Sequence, residues 1–85
     1  MRLDETHQGD LVVVRAVADD AVGRRLEALG FIPGTRVAVG RRAPLGDPTV
    51  YRVRGADVAV RRDTAREIEV DPLDAVGRDV AGSAR

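Results

Sequence analysis

The sequence predicts a mainly β domain: four or five short strands bent into a small barrel, with one α-helix inserted after the first strand. Three observations lead there. Valine-rich segments recur along the chain and alternate with period two. The helical period takes over at length only once, in "DDAVGRRLEALG". Turns carrying glycine or proline separate the segments. Closing such a sheet removes exposed strand edges, a real need in a domain of 85 residues.

The elements follow in order. After the polar opening "MRLDETHQGD", the stretch "GDLVVVRAVA" (Gly9 to Ala18) is β-branched and bounded by a turn residue, so it reads as the first strand. The period then changes. Val22, Leu26 and Leu29 stand at i, i+4 and i+7 and share one helical face, leaving Arg24, Arg25 and Glu27 to water. Asp19 or Asp20 suits the N-cap, because a carboxylate there accepts from free backbone N–H groups and favours the positive helix end. Gly23 inside the helix costs about 1 kcal/mol relative to Ala, so this helix depends on tertiary packing.

Gly30 stands where a left-handed residue ends a helix at no Cβ cost. Phe31 follows at the position whose side chain folds back onto the last turn, and it reads as a core plug between helix and sheet. Pro33 and Gly34 fit the centre of a type II turn, which demands a positive φ at its second central residue. From Thr35 the period is two: Val37 and Val39 alternate with Arg36, Ala38 and Gly40, ending at Arg41 and Arg42. "APLGDP" (Ala43 to Pro48) is a loop. "TVYRVR" is the next strand, with Tyr51 and Val53 on one face and Arg52 and Arg54 on the other. "GAD" (Gly55 to Asp57) turns into "VAVRR", where Val58 and Val60 face inward. Asp63 is expected to cap a helical turn over Thr64 to Glu67, before a closing strand through Ile68 and Val70. Beyond Pro72 the chain is small and polar, and residues 73–85 are expected to be a flexible tail. Val76 and Val80, at i and i+4, leave open a short helix formed against a partner.

Composition narrows the function classes. Such a length allows one small domain, and one this small buries roughly 60% of its unfolded surface. There is no cysteine, hence no disulfide and no thiolate nucleophile or soft metal ligand. No apolar run approaches the roughly 20 residues that span a bilayer, and the N-terminus has no stretch of signal-peptide length. A cytoplasmic, non-membrane chain is expected. The 14 basic residues, all Arg, balance 14 acidic ones for a formal net charge of zero, without the positive excess that usually marks nucleic-acid binding.

Catalytic chemistry is poorly represented. The one serine, Ser83, lies in the tail, and the sole histidine, His7, has no partner for an acyl-transfer triad. No phosphate-binding glycine pattern is present, and the chain is not expected to be an enzyme. Asp4, Glu5 and His7 offer oxygen and imidazole donors suited to a divalent transition metal such as Fe2+ or Mn2+. Against this, a closed site wants about four ligands in fixed geometry, and these three lie on a terminus read as mobile and solvated. Arg41, Arg42, Arg52, Arg54, Arg61 and Arg62 fall on successive strands and could track phosphates, but stacking aromatics are missing, and no nucleic-acid partner is expected.

The blocks "RRLEALGFIPGTRVAV" and "RRAPLGDPTVYRVRGADVAVRRDTAREIEV" resemble the FeoA family of small ferrous-iron transport proteins. The most specific parts are Leu29-Gly30-Phe31-Ile32-Pro33-Gly34, Ala43-Pro44-Leu45-Gly46-Asp47-Pro48 and the pair Arg54-Gly55, and the likeness runs from about Leu11 to Val70. It implies an SH3-like barrel of about five strands over residues 1–72, with the helix inserted after the first strand. It also implies an accessory role in ferrous iron uptake, docking on the cytoplasmic region of the FeoB transporter and supporting its assembly or activity. On that reading the proline-bounded loop is the candidate contact, with Leu45 as apolar anchor, Pro44 stiffening it, and Arg41, Arg42 and Asp47 as rim charges. The competing reading has Leu45 covering the open end of the barrel. Similar domains end metal-dependent repressors, so a metal-responsive regulatory module is the alternative. The oligomeric state, weak self-association included, is left open.

Overall fold

Valine alternation is converted directly into strands: β1 (Leu11–Val17), β2 (Arg36–Arg42), β3 (Thr49–Val53), β4 (Ala56–Val60) and β5 (Ile68–Pro72). Helix α1 (Ala21–Ala28) follows β1, and a single helical turn, α2 (Arg62–Ala65), joins β4 to β5. The computed structural model of the chain describes residues 1–74. All pairings are antiparallel, in the order β4-β3-β2-β1-β5. One face of this bent sheet buries Val12, Val14, Val37, Val39, Tyr51, Val53, Val60, Ile68 and Val70, closed over by Leu26, Phe31, Leu3 and Ala65. The mainly β class with one inserted helix is therefore as the patterning predicts.

Closure is not. β4 and β5 are the two ends of the sheet and do not pair with each other. The N-terminus covers the β5 edge instead: the Val70 N–H donates to the Met1 carbonyl (2.8 Å), the Met1 ammonium donates to the Val70 carbonyl (3.3 Å), and Arg2 bridges to Glu69. A 3-10 turn at Leu3–Glu5 then drops Leu3 into the core, and Thr6 is buried beside it, its hydroxyl donating to the Leu3 carbonyl (2.6 Å). The opening segment is thus anchored rather than solvated. Burying one leucine contributes about 1.5–3 kcal/mol toward ordering this run, and the bonds to the β5 edge add to it.

Asp20 caps α1, its carboxylate accepting from the Gly23 N–H (2.8 Å). Gly23 has a packing role: it is buried, and a Cβ there would overlap the Ala18 carbonyl oxygen. Because Gly23 and Leu26 are the buried positions of α1, the expected face does not sink as a unit, and Val22 (38%) and Leu29 (48%) remain exposed. At the other end, the Gly30 N–H donates to the Glu27 carbonyl and the Phe31 N–H to the Leu26 carbonyl (3.0 and 3.1 Å). With Gly30 at φ 113°, this is a Schellman closure, and its hydrophobic contact is Phe31 onto Leu26. The turn at Pro33-Gly34 follows as expected, with the Thr35 N–H donating to the Ile32 carbonyl (2.9 Å) and Gly34 at φ 93°.

Two turns differ from expectation by about a residue. The β3–β4 hairpin turns on Arg54-Gly55, at φ 52° and 80°, which leaves Ala56 and Asp57 in the strand. A two-residue hairpin loop with both centres at positive φ matches the sheet twist. Asp63 lies inside α2 rather than capping it, since the helix begins at Arg62. Leu73, placed in the tail by composition, still pairs, its N–H donating to the Leu11 carbonyl (2.8 Å). Residues 75–85 of the expected tail, with Val76 and Val80, lie outside the described residues.

Candidate functional site

The 43–48 loop is built from its two flanking strands. In β2 the register with β3 slips by one residue between Val39 and Arg42, so Gly40 and Arg41 together oppose Val50. This bulge requires glycine: a Cβ on Gly40 would lie 2.8 Å from the Val50 carbonyl oxygen. It also separates the two arginines. Arg41 stays exposed, whereas Arg42 turns inward, its Nε donating to Thr49 Oγ1 and its NH2 group to the Thr6 carbonyl (2.9 Å each).

The loop closes on itself. The Ala43 N–H donates to the Pro48 carbonyl (2.9 Å), and the Gly46 N–H to the Ala43 carbonyl (2.7 Å) with Gly46 at φ 91°. Pro44 sits at the first central position of that turn, where its fixed φ belongs, and the Asp47–Pro48 peptide is cis. Asp47 is engaged within the chain: its carboxylate accepts the first N–H of α2, from Arg62 (2.9 Å). That N–H has no partner inside the helix, so the loop supplies the cap that Asp63 was expected to give. The Arg62 guanidinium reaches back to the Gly46 carbonyl (3.4 Å). Leu45, at the tip, is 97% exposed. It covers no part of the core, which removes the reading of Leu45 as a lid over the sheet's open end. The candidate contact is therefore one bare leucine on a loop tied at both ends, with Arg41 exposed nearby in sequence and Arg42 and Asp47 occupied in holding the loop.

Beneath the loop base lies a buried polar group formed by Tyr51, Thr49, Thr6 and the inward Arg42. Burial raises the pKa of the Tyr51 phenol above its ordinary 10.0; hydrogen bonding with Thr49, the Arg42 charge and Thr6 oppose the rise, and the Asp4 carboxylate adds to it. The group joins the N-terminal segment, β2 and β3, and so fixes the loop's takeoff. Composition gave no sign of it, since Arg42 reads as a surface charge until the bulge is known.

Asp4, Glu5 and His7 do not converge. Asp4 Oδ2 faces Arg66 Nε (3.6 Å), Glu5 accepts from the Arg2 backbone N–H (2.6 Å), and His7 Nδ1 faces Asp10 Oδ2 (3.9 Å). Asp4 Oδ1 is buried without a hydrogen-bond partner, yet one orphaned oxygen is far from the roughly four ligands of a closed site. Among the described residues no three His, Asp or Glu side chains group as a metal set. As placed, Asp4, Glu5 and His7 do not form a resident metal site. Of the arginines expected to share a surface, Arg42 points inward and Arg52 pairs with Asp57 (3.1 Å). Among the described residues no helix is long and apolar enough to cross a membrane.

Comparison with known proteins places this geometry in context. The FeoA domain profile matches residues 1–72. The Fe(2+) transport protein A/Fe(2+) transporter FeoB fusion protein of Porphyromonas gingivalis is 40% identical over 72 residues, which are 84% of this chain and 8% of that much longer protein. The solution structure of FeoA protein from Chlorobium tepidum superposes with a TM-score of 0.80 at 41% identity, covering 87% of this chain and 71% of that one. The crystal structure of Stenotrophomonas maltophilia FeoA, complexed with zinc and described as a prokaryotic SH3 domain protein, gives a TM-score of 0.73 at 33% identity, covering 91% and 93%.

Proposed function

The chain belongs to the FeoA family, and on that premise we propose that it is a non-enzymatic cytoplasmic accessory of ferrous iron uptake. It binds the cytoplasmic region of a FeoB-type transporter and supports that transporter's assembly or activity. The observation that carries this reading is Leu45: an apolar side chain 97% exposed on a loop held by its own backbone bonds and by Asp47. A pre-ordered loop loses little entropy on binding, so the burial of its anchor goes largely into affinity. The fused arrangement in the Porphyromonas gingivalis protein supports association, because it puts a domain like this one and the transporter in a single chain. The Stenotrophomonas maltophilia protein, described as a candidate ferrous iron transport activating factor, supports the accessory role.

The metal-responsive alternative has less behind it, since Asp4, Glu5 and His7 each face a different neighbour. The test is co-purification of this protein with the transporter's cytoplasmic domain. Wild type is recovered and Leu45→Asp is lost from the complex; equal recovery removes the loop from the interface, and no recovery of either removes the partner.

A further inference from the structure

A second surface lies between α1 and β4. We propose that the groove between α1 and the outer edge of β4 docks an extended segment of another polypeptide, one that carries an apolar anchor flanked by acidic residues. The groove is about 240 Å³, with Leu26 at its floor, Val22, Leu29 and Ala59 on its walls, and Arg25 and Arg61 at its rim. That volume is below the ~300–1,000 Å³ of small-molecule sites and suits inserted side chains. Its apolar walls are open to solvent, Val22 at 38% and Leu29 at 48%.

The charge pattern selects the occupant. Neither Arg25 nor Arg61 takes part in an ion pair or side-chain hydrogen bond among the described residues, although Arg52, Arg15 and Arg66 all do. Two unpaired guanidinium groups beside an apolar wall match carboxylates on either side of an aliphatic side chain. The backbone selects an extended form. β4 ends the sheet, and the N-terminal segment that covers β5 does not reach it. In a hairpin closed by two residues, Val53 and Ala56 form the hydrogen-bonded pair, so Asp57 and Ala59 turn their backbone groups away from β3. Ala59 lines the groove, and an incoming strand can pair there while its side chains enter.

Selection of a random peptide phage library on the immobilised protein, followed by NMR titration with the enriched synthetic peptide, tests this. The expected peptide carries acidic residues around an aliphatic one and shifts the amide signals of α1 and β4. Leu29→Asp, and Arg25→Glu with Arg61→Glu, each weaken it at least about tenfold with unchanged melting temperature. Lysine in place of the peptide's acids restores binding to the charge-reversed protein. No enrichment, a peptide without acids, or shifts elsewhere overturns the proposal. A dimer abolished by Leu29→Asp would assign the groove to a second copy, and α1 and β4 signals that move on deletion of residues 75–85 would assign it to this chain's own C-terminus; either result also overturns it.

Discussion

The ring of Phe31 meets the ring of Tyr51 edge-on, with centroids 6.5 Å apart and planes at 84°. These are the chain's two aromatic residues, both buried, one arriving from the end of α1 and the other from the middle of β3. Their contact is where the helix is fastened to the sheet. Phe31→Ala is expected to cost about 3–5 kcal/mol, a large part of a small domain's total stability. Urea unfolding measures it, and an unchanged midpoint would show that the ring is not in the core.

Gly23→Ala reverses the usual rule for a glycine in a helix. Alanine gains about 1 kcal/mol of helix propensity, but its Cβ meets the backbone oxygen of Ala18, which cannot swing aside as a side-chain end can. Net destabilisation of about 1–3 kcal/mol is expected, a fall in Tm of about 4–8 °C per kcal/mol. A raised Tm would mean that α1 does not sit this close to the end of β1.

Tyr51 gives the fold an alkaline limit. Its pKa is raised in the folded protein, chiefly by burial, so above the ordinary value the unfolded chain loses the phenolic proton while the folded one keeps it. The unfolded state then binds fewer protons, and stability falls as pH rises from about 10 toward the folded pKa; below that window the contribution is fully present. The chain has no cysteine and draws every cationic side chain but His7 from Arg, so Tyr51 is the only side chain expected to titrate there. Melting curves between about pH 9 and 11 should slope downward for wild type and flatten for Tyr51→Phe. Parallel slopes would exclude Tyr51 as the cause.

Calorimetric titration with Fe(II) or Mn(II) checks the scattered donors at the N-terminus. Asp4, Glu5 and His7 face Arg66, the Arg2 backbone and Asp10 respectively, so His7→Ala should leave any heat of binding unchanged. Heat that vanishes with His7 would show that the segment rearranges to gather its donors.

Most of the scaffold is legible in the sequence because its signals are local. Valine alternation marks β2 and β3, and the Gly30-Phe31 and Pro33-Gly34 pairs mark the end of α1 and the turn after it. What is not legible depends on contacts distant in sequence. The N-terminal cover of β5 rests on Leu3 and Thr6 in a polar run with no periodicity. The Gly40–Arg41 bulge adds one residue, which alternation cannot register, and so Arg42 reads as a surface charge when it in fact braces the loop. The α1 face failed for a similar reason: spacing groups Val22 with Leu26 and Leu29, but the close approach at Gly23 decides which of them is buried. Of the candidate contact residues, Leu45 stands exposed at the loop tip, while Asp47 is already committed to α2.

The affinity of this protein for the cytoplasmic domain of a FeoB-type transporter, measured by calorimetry for wild type and Leu45→Asp with melting curves of both, tests the proposed loop contact most directly. A wild-type complex that disappears with Leu45→Asp, at matched melting temperatures, is the result expected of an exposed anchor. Undiminished binding by Leu45→Asp would contradict the claim that the loop is the contact.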